Sequence, residues 1–245
     1  MLSTVKTLSL IAAGLLSAHT FAWGEMPLQT TKNLTLDAAS LTALKVQAGS
    51  GFLHITGTDG DEVSVKAEIY QEKPHDEYCL TLEAKDKSAA LSAGQCEYQT
   101  NKQTRIDLTV AIPRSFNVDV HDGSGEIIIS KVADTVINDG SGSITANDIA
   151  GRLEINDGSG SIDARNISGD IKIHDGSGNI DVVKAQGNIE VHDGSGGIDL
   201  NDISGDVVVS DGSGSIRVDT AANFELLTDG SGSVKVTNIT GKTKI

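Results

Sequence analysis

The chain has 245 residues, 34 of them acidic against 19 basic, for a formal net charge of −15. A surface that acidic excludes nucleic acid and anionic membranes as natural partners. Aromatic residues make up 3% of the chain and glycines number 27, so any core is aliphatic and the backbone is rich in turns.

Residues 1–22 read as a secretory leader. Lys6 supplies the positive start, LSLIAAGLLSA the apolar stretch, and Thr20-Phe21-Ala22 a small residue for cleavage after Ala22. The apolar run is about half of the ~20 residues that a spanning helix needs. No cysteine follows it to carry a lipid. The expectation is an exported chain, periplasmic, surface-bound or secreted, with no transmembrane segment in its mature part.

Residues 23–121 are irregular but read as strands. Leu44 to Gly57 (LKVQAGSGFLHITG) has a strand, Gly-Ser-Gly, strand pattern. Val63 to Tyr70 alternates, and so does Ile106 to Ile112, which Pro113 stops. This region is expected to form the first coils and a more elaborate cap, because a bare terminal coil presents an open edge. Its two cysteines, Cys79 and Cys96, are the only ones in the chain. In an exported protein an even count favours a disulfide, and their spacing is close to one coil. Two free thiols or a metal pair is the alternative reading.

Residues 122–245 are organised by Asp-Gly-Ser-Gly, which occurs seven times, at Asp122, Asp139, Asp157, Asp175, Asp193, Asp211 and Asp229. The first step is 17 residues and the next five are 18. Such a period marks a repeat architecture, continuous with the region before it. Asp157 to His174 splits into two halves, each a Ser-Gly turn followed by an alternating run. Each unit therefore reads as strand, turn, strand, turn, and the fold class as all-β: a two-sided parallel β-solenoid of about 18 residues per coil. Seven coils at ~4.8 Å would stack to roughly 34 Å. One inward ladder runs Ile127, Ile144, Ile162, Ile180, Ile198, Ile216, Val234; the other sheet supplies Leu153, Ile171, Ile189, Val207 and, two places on, Ile155, Ile173, Val191, Val209. A three-sided solenoid of hexapeptides has the same coil length, but the Ser-Gly pairs recur every nine residues and favour two sides. Phe224, Leu226 and Leu227 break the pattern and suggest the start of a C-terminal cap.

The Asp ladder is the first place to look for chemistry. Stacked turns would put seven carboxylates along one edge, where neighbours repel by about 1 kcal/mol even in bulk water. Either each carboxylate accepts the following backbone N–H groups in an Asx-turn, or cations such as Ca²⁺ bridge the turns. The calcium-binding nonapeptide places its Asp ligand at a position filled here by Ile162 and its equivalents, so Asx-turns are the leading reading and no cofactor is expected. His121, His174 and His192 precede the turn, and the last two fall on adjacent coils, either as a solvated stack or as metal ligands beside Asp175 or Asp193. Seven equivalent serines with no base to single one out are turn residues, not nucleophiles. No helix follows the glycines to hold a phosphate. A sugar-cleaving site normally needs paired carboxylates and often aromatic platforms, yet between Asp122 and Gly232 the only aromatic is Phe224, and the outward row is too mixed and charged for an ice-binding face.

Three segments together carry a resemblance: AIPRSFNVDVHDGSGEIII, the GDIKIHDGSGNIDV type of repeat, and LKVQAGSGFLHITGTDGDEVSVKAEI. They resemble the bacterial adhesin-like family of repeated β-strand proteins, exported proteins of unknown function. The resemblance covers most of residues 40–245. It implies a right-handed parallel β-solenoid and carries over no catalytic residue. The leading reading is a non-enzymatic, adhesin-like structural or interaction protein of the cell envelope with a protein or polysaccharide partner. The alternatives are a Ca²⁺-stabilised solenoid and an enzyme acting on envelope polysaccharide.

Overall fold

A computed structural model describes residues 6–8, 26–94 and 103–245, so the expected cleavage point after Ala22 and Cys96 both lie outside the described residues. Two sheets, of 12 and 11 strands, enclose one aliphatic core. This is the expected two-sided solenoid; the three-sided alternative falls.

A short strand β1 (Lys6–Leu8), inside the expected leader, pairs antiparallel with β2 (Leu28–Asp37). The strands β3 (Ala43–Gln47) and β4 (Leu53–Thr58) make a first coil around Gly49-Ser50-Gly51. The chain then leaves the stack to build the cap. β5 (Glu62–Gln71) runs antiparallel to β2, β6 (Cys79–Lys85) pairs antiparallel with β7 (Ser88–Gly94), and β8 (Thr104–Pro113) runs antiparallel to β5. β7 and β8 lie parallel against one side of β3 and β4. The chain next crosses over, and β9 (Asn117–Asp122) and β10 (Ile127–Ser130) add to the other side. The coil that comes first in sequence is therefore sandwiched between two later ones.

From there the solenoid climbs one coil at a time. The successive pairs are β11 (Thr135–Asp139) with β12 (Ile144–Ile149), β13 (Leu153–Asp157) with β14 (Ile162–Ile167), and β15 (Ile171–Asp175) with β16 (Gly178–Ala185). They continue as β17 (Ile189–Asp193) with β18 (Gly196–Ile203), β19 (Val207–Asp211) with β20 (Gly214–Ala221), and β21 (Phe224–Asp229) with β22 (Gly232–Ile239); β23 (Thr243–Lys244) follows. Each strand pairs in parallel with its counterpart one coil below. Among the described residues no helix is long and apolar enough to cross a membrane.

The alternation sets the core. Ile127, Ile144, Ile162, Ile180, Ile198 and Ile216 pair in register, each at most 1% exposed. Val234 completes the ladder in the last coil, where the cover thins. Within one coil, Ile162, Ala164, Ile167, Ile171 and Ile173 all point inward and are buried. Burying one such Ile contributes about 1.5–3 kcal/mol, and the repeat multiplies that coil by coil.

Two coils depart from 18 residues, and both lack the glycine of the second turn. Where other coils have Ala150-Gly151-Arg152, the coil below has Ala133-Asp134, and later Ala222-Asn223 replaces Ser204-Gly205-Asp206. At this corner a side-chain oxygen accepts from the next coil, Asp134 Oδ1 from the Arg152 N–H and Asn223 Oδ1 from the Lys242 N–H, each at 2.8 Å, as Asp170 and Asn188 do in coils that keep the glycine. The second shortened coil regains its register through a bulge, so that Val209 pairs with Leu226 and Ser210 with Thr228. The displaced residue is Leu227, 53% exposed, while Phe224 takes the core place of Val207 and is 1% exposed. The irregularity at Phe224–Leu227 is thus a one-residue deletion and its compensation, and the coil that carries it still stacks in the solenoid.

Candidate functional site

The seven aspartates of the repeated turn are stacked in register, as expected. Their direction differs from the expectation of an exposed edge. Along β13 the residues Leu153, Ile155 and Asp157 share the buried phase, and the same holds for every strand of that sheet from β11 to β19. The carboxylate is the last inward residue of its strand, not the first residue of a surface turn. Asp139, Asp157, Asp175, Asp193 and Asp211 are 3–8% exposed. Asp122 is half-buried and Asp229, in the last coil, is exposed.

Four of the carboxylates are half satisfied. Oδ1 of Asp157, Asp175, Asp193 and Asp211 accepts the N–H of the serine two residues on, at 3.1 Å in all four. This is the Asx-turn, and it holds the corner so that the next strand starts in register. Oδ2 of these four, and both oxygens of Asp122 and Asp139, are buried with no hydrogen-bond partner. A buried unpaired polar atom is costly and calls for an explanation. Burial raises the pKa of each repeat-turn aspartate from Asp122 to Asp211, and the like charge of a neighbouring carboxylate adds to it at most of them. Asp122 and Asp175 are pushed up to about 6.

On the outer face, one residue earlier, runs a polar ladder. His174 and His192 stack with ring centroids 4.8 Å apart and planes 6° from parallel. Glu190 Oε1 lies 2.8 Å from His192 Nε2. Burial, His192 and Lys172 lower the pKa of His174. Below, Asn156 donates to Asn138 at 3.1 Å, and above, Ser210 pairs with Thr228. His121 stands apart, beside Asp119 at 3.5 Å. Among the described residues no three His, Cys, Asp or Glu side chains converge to hold a metal. The stacked pair continues the polar row formed by Asn138 with Asn156 and by Ser210 with Thr228. The expected partner of Cys79 lies outside the described residues.

The opposite corner holds a feature that the sequence reading missed. One residue per coil adopts a left-handed backbone: Lys131, Asp148, Asn166, Lys184, Asp202, Thr220 and Asn238, with φ between 56° and 69°. Asn and Asp tolerate this region and occupy four of the positions, which was the available signal; Lys131, Lys184 and Thr220 hid it. The corner encloses a shallow groove of about 530 Å³ lined by Asp148, Asn166, Ser168, Lys184, Gln186 and Asp202 among others. Asn166 donates to Asp148 across one coil at 2.9 Å.

With this geometry in hand, residues 70–244 match the family described as Toastrack DUF4097. The chain belongs to the Toastrack DUF4097 family. No curated protein matches it. Among solved structures this Toastrack chain is similar to a putative adhesin from Bacteroides fragilis (16% identity, 87% of this chain and 97% of that one, TM-score 0.55). It is also similar to a putative lipid binding protein from Parabacteroides distasonis (15% identity, 88% and 96%, TM-score 0.50). At these identities the likeness is one of fold.

Proposed function

We propose that this Toastrack chain is an exported, non-enzymatic, adhesin-like β-solenoid that contacts an envelope or surface partner through its left-handed corner. The observation that carries this reading is the polar groove across the coils at Asp148, Asn166, Lys184 and Asp202. Donors and acceptors recur there at the strand spacing of ~4.8 Å, which suits a repeating polar polymer, so envelope polysaccharide is the first partner. The adhesin-like neighbour supports the same reading. On this view the leader is removed after Ala22, taking β1 with it, and Cys79 bridges Cys96 to pin the cap.

Binding of the purified mature chain to polysaccharide and protein fractions of the envelope tests it. Ser168, Gln186 and Ser204 line the groove and are exposed. The triple variant Ser168→Ala/Gln186→Ala/Ser204→Ala is expected to keep its melting temperature and to lose polysaccharide binding at least about tenfold, the equivalent of 1.4 kcal/mol. Undiminished binding would move the contact to another face, and binding confined to protein fractions would replace the partner class.

A further inference from the structure

We propose that the inward aspartates of consecutive coils share protons, so that neutral carboxyl groups donate to the carboxylates of neighbouring coils and the solenoid tightens in mild acid. The geometry leads there in three steps. First, the carboxylates of Asp139, Asp157, Asp175, Asp193 and Asp211 are nine-tenths buried or more and stand on adjacent strands in exact register, one strand spacing of ~4.8 Å apart. Second, the Ser N–H satisfies one oxygen of each from Asp157 to Asp211 and leaves Oδ2 with neither solvent nor partner. Third, the charged groups that act on Asp175 are Asp157 and Asp193; on Asp139 it is Asp157, on Asp193 it is Asp211, and on Asp211 it is Asp229. Among the described residues no cation offsets them; Lys172 and the two stacked histidines lie in the outward phase of the same sheet.

Each pair needs something positive between its carboxylates, and the site fits a proton better than a metal ion. A calcium ion takes six to eight oxygen ligands, whereas these oxygens are sealed from solvent and no three ligating side chains converge among the described residues. A proton needs only one donor oxygen and one acceptor. It comes from solvent, turns one carboxylate into a carboxyl group, and leaves its pair with a single negative charge. The resulting O–H···O⁻ bond is of the strong, charge-assisted kind. The raised pKa values agree in sign. A folded-state value near 6 for Asp122 and Asp175 against an ordinary 3.8 means that the native chain binds protons which the unfolded chain releases. Stability is then gained as pH falls through about 6 toward 4 and lost as it rises through the same window.

Thermal unfolding of the full chain from about pH 7.5 to 5 is the test, with two variants. Asp175→Asn keeps an oxygen for the Ser177 N–H and supplies a permanent donor to the next coil. It should melt higher than wild type at pH 7.5, with the gap closing toward pH 5. Glu83→Gln removes the same charge from an exposed strand of the cap and should leave the pH slope unchanged, which separates the ladder from general charge repulsion. Infrared spectra of the native chain should show a carboxylic-acid band at pH 6 that broad titration of exposed aspartates cannot supply. This last readout stands whether or not the variant folds. An Asp175→Asn slope equal to wild type, or no carboxylic-acid band at pH 6, overturns the proposal. So does a melting temperature at pH 7.5 that rises with millimolar calcium and falls back with chelator, since a metal would then occupy the ladder.

Discussion

Gly196 and Gly197 are neighbours in one turn, and the same substitution should do opposite things to them. Gly196 has φ +148°, a conformation open to glycine and closed to most other residues. A Cβ there would fall inside the van der Waals shell of the Gly178 carbonyl oxygen one coil below, closer than real Cβ contacts come. The coils would have to part locally. That breaks the bonds from the Gly178 N–H to Ser195 O and from the Gly194 N–H to Asp175 O, both at 3.0 Å. Two such bonds contribute about 2 kcal/mol together, and a non-glycine residue held in that backbone region costs about 1–3 more. Gly196→Ala should therefore destabilise by roughly 3–5 kcal/mol. At Gly197 a Cβ would come to 3.1 Å of a side-chain atom, Asn179 Oδ1, and not of backbone, and other coils carry Ser161, Asn179 and Ser215 at this place. Gly197→Ala should be neutral or gain about 0.4–1 kcal/mol by restricting the unfolded chain. Urea midpoints of the two variants, read at constant slope, give the difference. Equal midpoints, or a loss under about 1 kcal/mol at Gly196, would refute the argument that glycine is there for backbone stacking.

Three further outcomes follow from the same geometry. Ile173 is fully buried in the second inward ladder, so Ile173→Ala should cost about 2–5 kcal/mol as a core cavity, measured by chemical denaturation. Thr220 holds φ 69° with a β-branched side chain, and Thr220→Asn should raise stability by about 0.5–1 kcal/mol by relieving part of that strain; a lower melting temperature would count against it. The imidazole of His174 is disfavoured as a cation by burial, His192 and Lys172, so its NMR titration midpoint should lie below the ordinary value of about 6.5. Its stabilising contribution, present above that value, is lost as pH falls; a midpoint at or above it would contradict the stack as described.

The repeat carried much of the fold in plain view. A side chain on a strand faces in or out by parity alone, so the alternation around Ile162, Ile171 and Ile173, with Ser-Gly every nine residues, determined two parallel sheets, the inward ladders and the register between coils. The same parity extended one step further reaches Asp157 and its equivalents and turns them inward. Reading Asp as a turn former hid this, because composition says that a residue suits a turn and not that its side chain closes the core beneath one. The left-handed corner was half legible at Asn166 and Asp202 and masked at Lys184, where only backbone geometry reveals the strain. The order of the first coils was not in the pattern at all. Strands β3, β7 and β9 look alike locally, and their pairing is chosen by contacts between residues far apart in sequence, which place β3 in the middle. What the sequence alone determined was therefore periodic and local: coil length, sheet number and core identity. The tertiary structure decided what depends on enclosure and distant pairing: the sandwiching of the first coil, the groove at the left-handed corner, and carboxylates sealed away from the water that would otherwise keep them charged.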